Sequence, residues 1–273
     1  MILDKRMSEL LDFYREAGVD ALLSEQPVDR FAAATVPPPA RAPQPVSLPP
    51  ELETKGRAAP ALMVPPPSAA PPAPDEAAMA AREAAKGAKS LDDLRAILEG
   101  FGGCALKATA TRLVFADGNP QARLMFVGEA PGRDEDIEGL PFVGRSGKLL
   151  DRMLAAIGLD RTKVYIANIV PWRPPGNRTP TPQEQQICLP FILRQIELAD
   201  PDILVCLGGP TAQALLGIKE GITKTRGRWF NFNTGKRQIR ALATFHPAFL
   251  LRSPLQKRFA WRDFLAIKKA LAG

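Results

Sequence analysis

Half of the chain's 28 prolines fall between Pro37 and Pro74, 14 in 38 residues, mixed with alanine and almost no aromatic residue. Proline fixes φ and removes a backbone donor, so this stretch continues neither a helix nor a sheet. Its side chains bury too little apolar area to offset the entropy of ordering them. The composition predicts a disordered, semi-rigid spacer of polyproline character over residues 31–88. Ahead of it, Met7, Leu10, Leu11, Tyr14, Ala17 and Leu22 stand near helical spacing, which predicts a short amphipathic helix within residues 1–30. That helix would dock on a protein partner or on the chain's own domain; a marginal helix of no consequence fits the same residues. The foldable body is then expected at 89–273, one domain's worth of chain.

A single His excludes the helical two-histidine zinc motif, and three scattered Cys exclude a disulfide framework and point to a reducing compartment. No apolar run approaches the roughly 18 residues of a membrane helix. Asp4, Glu9 and Asp12 interrupt the apolar pattern of the N-terminus, against a signal peptide. A cytoplasmic monomer without membrane contact is expected. The charge is lopsided. From Lys219 onward there are 13 basic and two acidic residues, net +11, whereas residues 1–218 carry 23 basic and 27 acidic, net −4. A basic end of this kind suggests a polyanion partner, although basic helices are often only solvated faces.

Ser90 ahead of LDDLRAIL predicts a capped helix. RLMFVG (123–128), KVYIAN (163–168) and DILVCLG (202–208) are near-continuous apolar runs, as strands buried on both faces require, and Gln238–Thr244 adds a fourth. Helices are predicted between them at 146–157, 182–199 and 210–216, with a closing helix at 256–271. Alternation of this kind predicts an α/β fold, three layers with a central, mostly parallel sheet and helices on both faces. Ligands in such folds sit beyond the carboxyl ends of the strands, so the loops there should carry the chemistry.

Three such loops stand out. Gly128-Glu129-Ala130-Pro131-Gly132 follows the first strand and runs through the acidic Asp134-Glu135-Asp136 to PFVG at 141–144. Its glycines let backbone amides approach a ligand, and they also suit a plain tight turn. Asn168 ends the second strand; its carboxamide sets a donor beside an acceptor, which suits the edge of a base, and Asn also ends strands by turn chemistry. His246 follows the last strand in FHPAFLLRSP, where Pro247 fixes the turn.

Together these loops resemble the family 4 uracil-DNA glycosylases of bacteria and archaea, in the segments GEAPG (128–132), PFVGRSGKLLD (141–151), NIV (168–170), RPPGNRTP (173–180) and HPAFLL (246–251). The resemblance spans about Phe101 to Gly273 and implies base excision repair of uracil-containing DNA, with the base flipped into a pocket of the uracil-DNA glycosylase-like fold. It implies that Phe142 stacks on the uracil, that Asn168 bonds its pairing edge, and that Gly128, Glu129 and Ala130 line the pocket. His246 would donate to the carbonyl oxygen beside the scissile bond, and Glu135 would serve the water-activating step. Leu250 or Leu251 would fill the gap left in the base stack. Arg252, Lys257 and Arg258 would meet phosphates.

The family typically holds an iron–sulfur cluster on four Cys. Here the four positions read Phe101, Cys104, Trp172 and Cys188, so two ligands are replaced by large aromatics. Two thiolates cannot ligate a four-iron cluster. No cofactor or metal is therefore expected; Phe101 and Trp172 should pack as an apolar plug, and Cys206 reads as core packing. Two other readings stay open: a DNA-binding scaffold with weak or no glycosylase activity, and an unrelated α/β hydrolase of small phosphorylated or nucleoside substrates. The basic C-terminal segment disfavours the last.

Overall fold

The computed structural model describes residues 74–272. The amphipathic helix expected within 1–30, and the spacer from 31 to 73, lie outside the described residues.

The first described element corrects the expected spacer boundary. Residues Pro74–Gly87 form helix α1, not linker. Prolines stop at Pro74, where proline suits a helix's first turn, and the alanines that follow are the strongest helix formers. Ala77, Ala78, Ala81, Ala85 and Ala88 recur at helical spacing and are all buried, so small side chains let α1 lie close on its neighbour. That neighbour is the long helix Pro182–Ala199, whose Arg194 donates to the Ala88 carbonyl at 2.6 and 3.1 Å. Helix α2 (Leu91–Gly100) starts as expected: the Ser90 hydroxyl accepts from Asp93 N at 3.0 Å, and Leu94 and Leu98 face the core. A single turn, α3 (Leu106–Thr109), follows.

The sheet has the strand order β1-β3-β2-β4-β6-β5. In chain order its strands are β1 (Asp117–Gly118), β2 (Leu124–Gly128), β3 (Tyr165–Asn168), β4 (Ile203–Leu207), β5 (Trp229–Asn233) and β6 (Gln238–Thr244). The four central strands are parallel, and the two edges, β1 on β3 and β5 on β6, are antiparallel. Neither edge strand is legible in the sequence. Between the strands run α4 (Arg133–Glu138), α5 (Arg145–Ala156), α6 (Pro182–Ala199), α7 (Gly209–Leu216) and α8 (Ile222–Thr225). The chain closes with α9 (Pro247–Arg252) and α10 (Lys257–Ala272).

Strand alternation divides the core into two layers. Met125, Val127, Tyr165, Ala167, Leu204 and Cys206 face the cluster that includes α1, α2 and α6. Leu124, Phe126, Ile166, Ile203 and Val205 face Leu150 and Leu154 of α5 and Phe264 and Ile267 of α10. This is the three-layer α/β/α arrangement. Burial pushes the Cys206 thiol up to about 12, in keeping with an inert packing role.

Register then places the site. Gly128 pairs with Asn168, and Leu207 with Thr244, so the ends of β2, β3, β4 and β6 share one sheet edge. The chain passes from β2 to β3 on one side and returns to β4 on the other. That reversal opens a crevice at the carboxyl edge.

Candidate active site

A cavity of about 480 Å³ occupies this crevice, and Glu129, Glu135, Phe142, Asn168, His246 and Arg252 are among the residues that line it. Residues from three separate loops thus converge, as the sequence reading expects. The Pro174–Pro180 segment, in the second half of the β3–α6 connection, adds to the rim. There Arg178 is held by a bidentate pair to Glu184 at 2.7 and 2.8 Å, and Glu184 caps α6 through Thr181.

Phe142 carries backbone strain. Its φ is +57°, in the left-handed region that a bulky residue rarely adopts, yet its side chain is 4 % exposed. Two residues that sequence reading passed over enforce this. Arg161 donates to the carbonyls of Pro141 and Phe142 while pairing with Asp117 and Asp151. Gly147 leaves room for the Phe142 carbonyl: a Cβ there would lie 1.6 Å from that oxygen. The signal was present in GRSG, but a glycine in a helix pattern does not announce what it makes room for.

Asn168 ends β3 with its side chain buried. Gly128 beside it cannot be larger, since a Cβ would approach Asn168 Oδ1 to 2.4 Å and the Phe142 ring to 2.6 Å. Among the described residues three buried side-chain atoms lack a hydrogen-bond partner, and two of them, Asn168 Oδ1 and Glu129 Oε1, belong to residues lining this cavity. A buried acceptor without a donor costs about 1–3 kcal/mol, so the site holds unmet demand for a ligand that donates. Burial also raises the pKa of the Glu129 carboxyl.

Glu135 is part of α4 rather than of an acidic loop. Its Oε2 accepts from Gly132 N at 3.0 Å and its Oε1 from Gly144 N at 2.9 Å. The carboxylate therefore ties the first loop to the Phe142 loop, and each oxygen keeps a second lone pair for a water.

His246 is the N-cap of α9, a role the sequence did not suggest. Its Nδ1 accepts from Ala248 N at 3.1 Å, so the neutral ring carries its proton on Nε2. Burial, with the Arg252 charge behind it, pushes its pKa down to about 4. The imidazole stays neutral at physiological pH and acts as a donor. It stands 5.4 Å from the Phe142 ring, and Gly208, at φ +98°, leaves it space. Below it, Thr244 and Arg226 both bond the buried Asp263 of α10, which fixes the end of β6.

The expected wedge needs correction. Leu250 is 1 % exposed and packs with Phe245 and Ala260 inside the protein, because the helical turn of α9 points it inward. It cannot enter a base stack. Leu251 is half-buried, and Leu255, in the turn that follows, is 83 % exposed. Arg252, Lys257 and Arg258 are exposed, as a phosphate-facing role requires.

The cavity, with its neutral histidine donor and its unpartnered carboxamide, can now be set beside known proteins. Residues 115–265 match the family model of the uracil DNA glycosylase superfamily. The chain is 40 % identical over 183 residues to the type-4 uracil-DNA glycosylase of Archaeoglobus fulgidus, spanning 66 % of this chain and 92 % of that one. It is 47 % identical over 151 residues to the type-4 enzyme of Thermotoga maritima, spanning 55 % and 77 %. A third type-4 relative, from Saccharolobus solfataricus, is 41 % identical over 174 residues, 62 % of this chain and 81 % of that one. On these matches the chain belongs to the type-4 uracil-DNA glycosylases.

Proposed function

We propose that this enzyme binds uracil-containing DNA, turns the uracil out of the base stack into the 480 Å³ cavity and hydrolyses its N-glycosidic bond, leaving an abasic site. The observation that carries this reading is the unpartnered Asn168 Oδ1 beside a buried aromatic ring and a neutral imidazole donor. Uracil presents an N3–H donor flanked by the O2 and O4 acceptors. The Asn168 carboxamide complements N3–H and O4, Phe142 supplies a face for stacking, and His246 Nε2–H reaches O2.

When the bond from C1′ to N1 breaks, uracil leaves with the electron pair and negative charge grows on O2. A preorganised donor at that oxygen is worth about 3–4 kcal/mol in comparable sites. Positive charge grows on the sugar, where the buried Glu135 carboxylate favours it and orients the water that adds to C1′. Extrusion costs a few kcal/mol, least at a mispaired base. Leu251 and Leu255 are the apolar side chains left to fill the stack, and Arg252, Lys257 and Arg258 hold phosphates. Only these residues of the basic segment beginning at Lys219 are assigned to the backbone; Arg226, Arg228 and Arg237 are paired with Asp263, Glu220 and Asp200.

The test is a labelled oligonucleotide with a single uracil, incubated with the protein and then treated with alkali. Strand cleavage at the uracil position, absent from the thymine control, is expected. Retained binding with no cleavage at any salt concentration would favour the scaffold reading.

A further inference from the structure

The type-4 relationship implies a four-iron cluster on four thiolates, and the residues here do not fit it. Phe101 and Trp172 stand at two of the four positions and offer iron no donor. Among the described residues no group of three or more His, Cys, Asp and Glu side chains is placed to hold a metal ion. The remaining thiols, Cys104 and Cys188, are both buried, with their sulfurs 4.0 Å apart.

We propose that an aromatic plug built from Phe101, Trp172 and Phe191 does the mechanical work of the missing cluster, so that this enzyme folds and positions Asn168 without iron. A cluster cross-links three stretches of chain: the segment after α2, the loop after β3, and α6. The plug draws on the same three. Phe101 follows α2 and sets its ring edge-on to Phe191 of α6, centroids 5.0 Å apart at 68°. Trp172, from the loop after β3, is among the largest fully buried side chains and belongs to the same apolar cluster as Cys104, Cys188 and Phe191. Each aromatic side chain removes about 150–250 Å² from water, and edge-on ring pairs add attraction beyond the area.

The plug also reaches the catalytic loop. Between Asn168 and Trp172 the backbone is pinned by Ile169 N to Gly128 O at 3.0 Å, Val170 N to Glu129 O at 3.0 Å, and Val114 N to Pro171 O at 2.9 Å. Trp172 anchors the far end of this short run. It is a positioning residue that acts through Asn168.

Iron is measured without reference to activity, so this test stands even if the uracil reading fails. The full-length protein, purified without oxygen and then incubated with ferrous iron, sulfide and a thiol reductant, is analysed for iron and acid-labile sulfide. Traces far below one iron per chain are expected; stoichiometric iron and sulfide with a broad visible absorption band would overturn the plug. The Phe101→Cys/Trp172→Cys double variant, treated the same way, should take up both. A folded double variant that stays free of iron would show that the aromatics do not occupy the cluster position. Trp172→Ala should lower the melting temperature and, assayed well below it, slow single-turnover excision on the order of tenfold, as small misplacements of catalytic groups do. Trp172→Phe should restore most of both. An alanine variant as stable and as fast as the parent would sink the proposal.

Discussion

Asn168, the last residue of β3, and Trp172, four residues on in the loop that follows, meet opposite environments. Asn168 ends in a cavity where its Oδ1 finds no protein partner, whereas Trp172 is packed on all sides among apolar groups. The first region keeps polar atoms unsatisfied in readiness for a ligand; the second is filled by apolar side chains. A site of the first kind is fixed by the chemistry it must perform, so few side chains can serve. A site of the second kind needs only volume and apolar area, so different side chains can fill it. Under the proposed plug, this difference accounts for aromatics at Phe101 and Trp172 beside a cavity lined by Phe142, Asn168 and His246.

The comparison can be broken most directly from the cavity side. Asn168→Ala and His246→Ala should each lower the single-turnover cleavage rate about 10²- to 10³-fold while changing DNA affinity little, as loss of a preorganised polar contact does. Loss of binding with chemistry spared would reverse the assignment. On the apolar side, Trp172→Ala should cost about 3–5 kcal/mol of folding stability by denaturant titration, through a cavity the neighbours cannot close. A cost under about 1 kcal/mol would mean that the indole is not packed as described. Between the two regions, Gly147→Ala should displace the Phe142 carbonyl, weakening uracil binding more than overall stability. Equal loss of both would place Gly147 in the scaffold alone.

The pH dependence sharpens the contrast further. The folded-state pKa of His246 lies near 4, below the usual 6.5. Between those values the unfolded chain takes up the proton and the native one does not, so this group favours unfolding as pH falls through that window. Cleavage should accordingly show no inflection near 6.5 and should fall only toward pH 4, where protonating Nδ1 would break the bond from Ala248. A rate profile with a His246-dependent step near 6.5 would contradict the half-buried, neutral imidazole. The smallest effect belongs to the rim: Lys257→Ala with Arg258→Ala should weaken binding to all DNA alike and flatten the salt dependence by about 1 to 2 in log–log slope.

Much of the sheet was legible because parallel strands buried on both faces read as unbroken apolar runs. β6 was placed to the residue at Gln238–Thr244, and the central strands to within two residues. β5 was missed because WFNFN alternates at an edge, where half the side chains face outward. Helix α1 was missed for a different reason: alanine supplies helix propensity but little apolar signal, and only contact with α6 shows that its small face is buried. Leu250 and Leu251 are indistinguishable in the sequence, and the turn of a six-residue helix decides which one points inward.

The sequence by itself determined the mostly parallel three-layer class, the three loops at the carboxyl edge and the aromatic side chains at Phe101 and Trp172. These follow from residue type and order, which local chemistry reads directly. Tertiary structure alone decided the strain at Phe142, the Arg161 and Gly147 supports, the protonation of His246 and the closeness of Trp172 to its neighbours. Each depends on distances between residues far apart in the chain, and spacing along a sequence carries no measure of those.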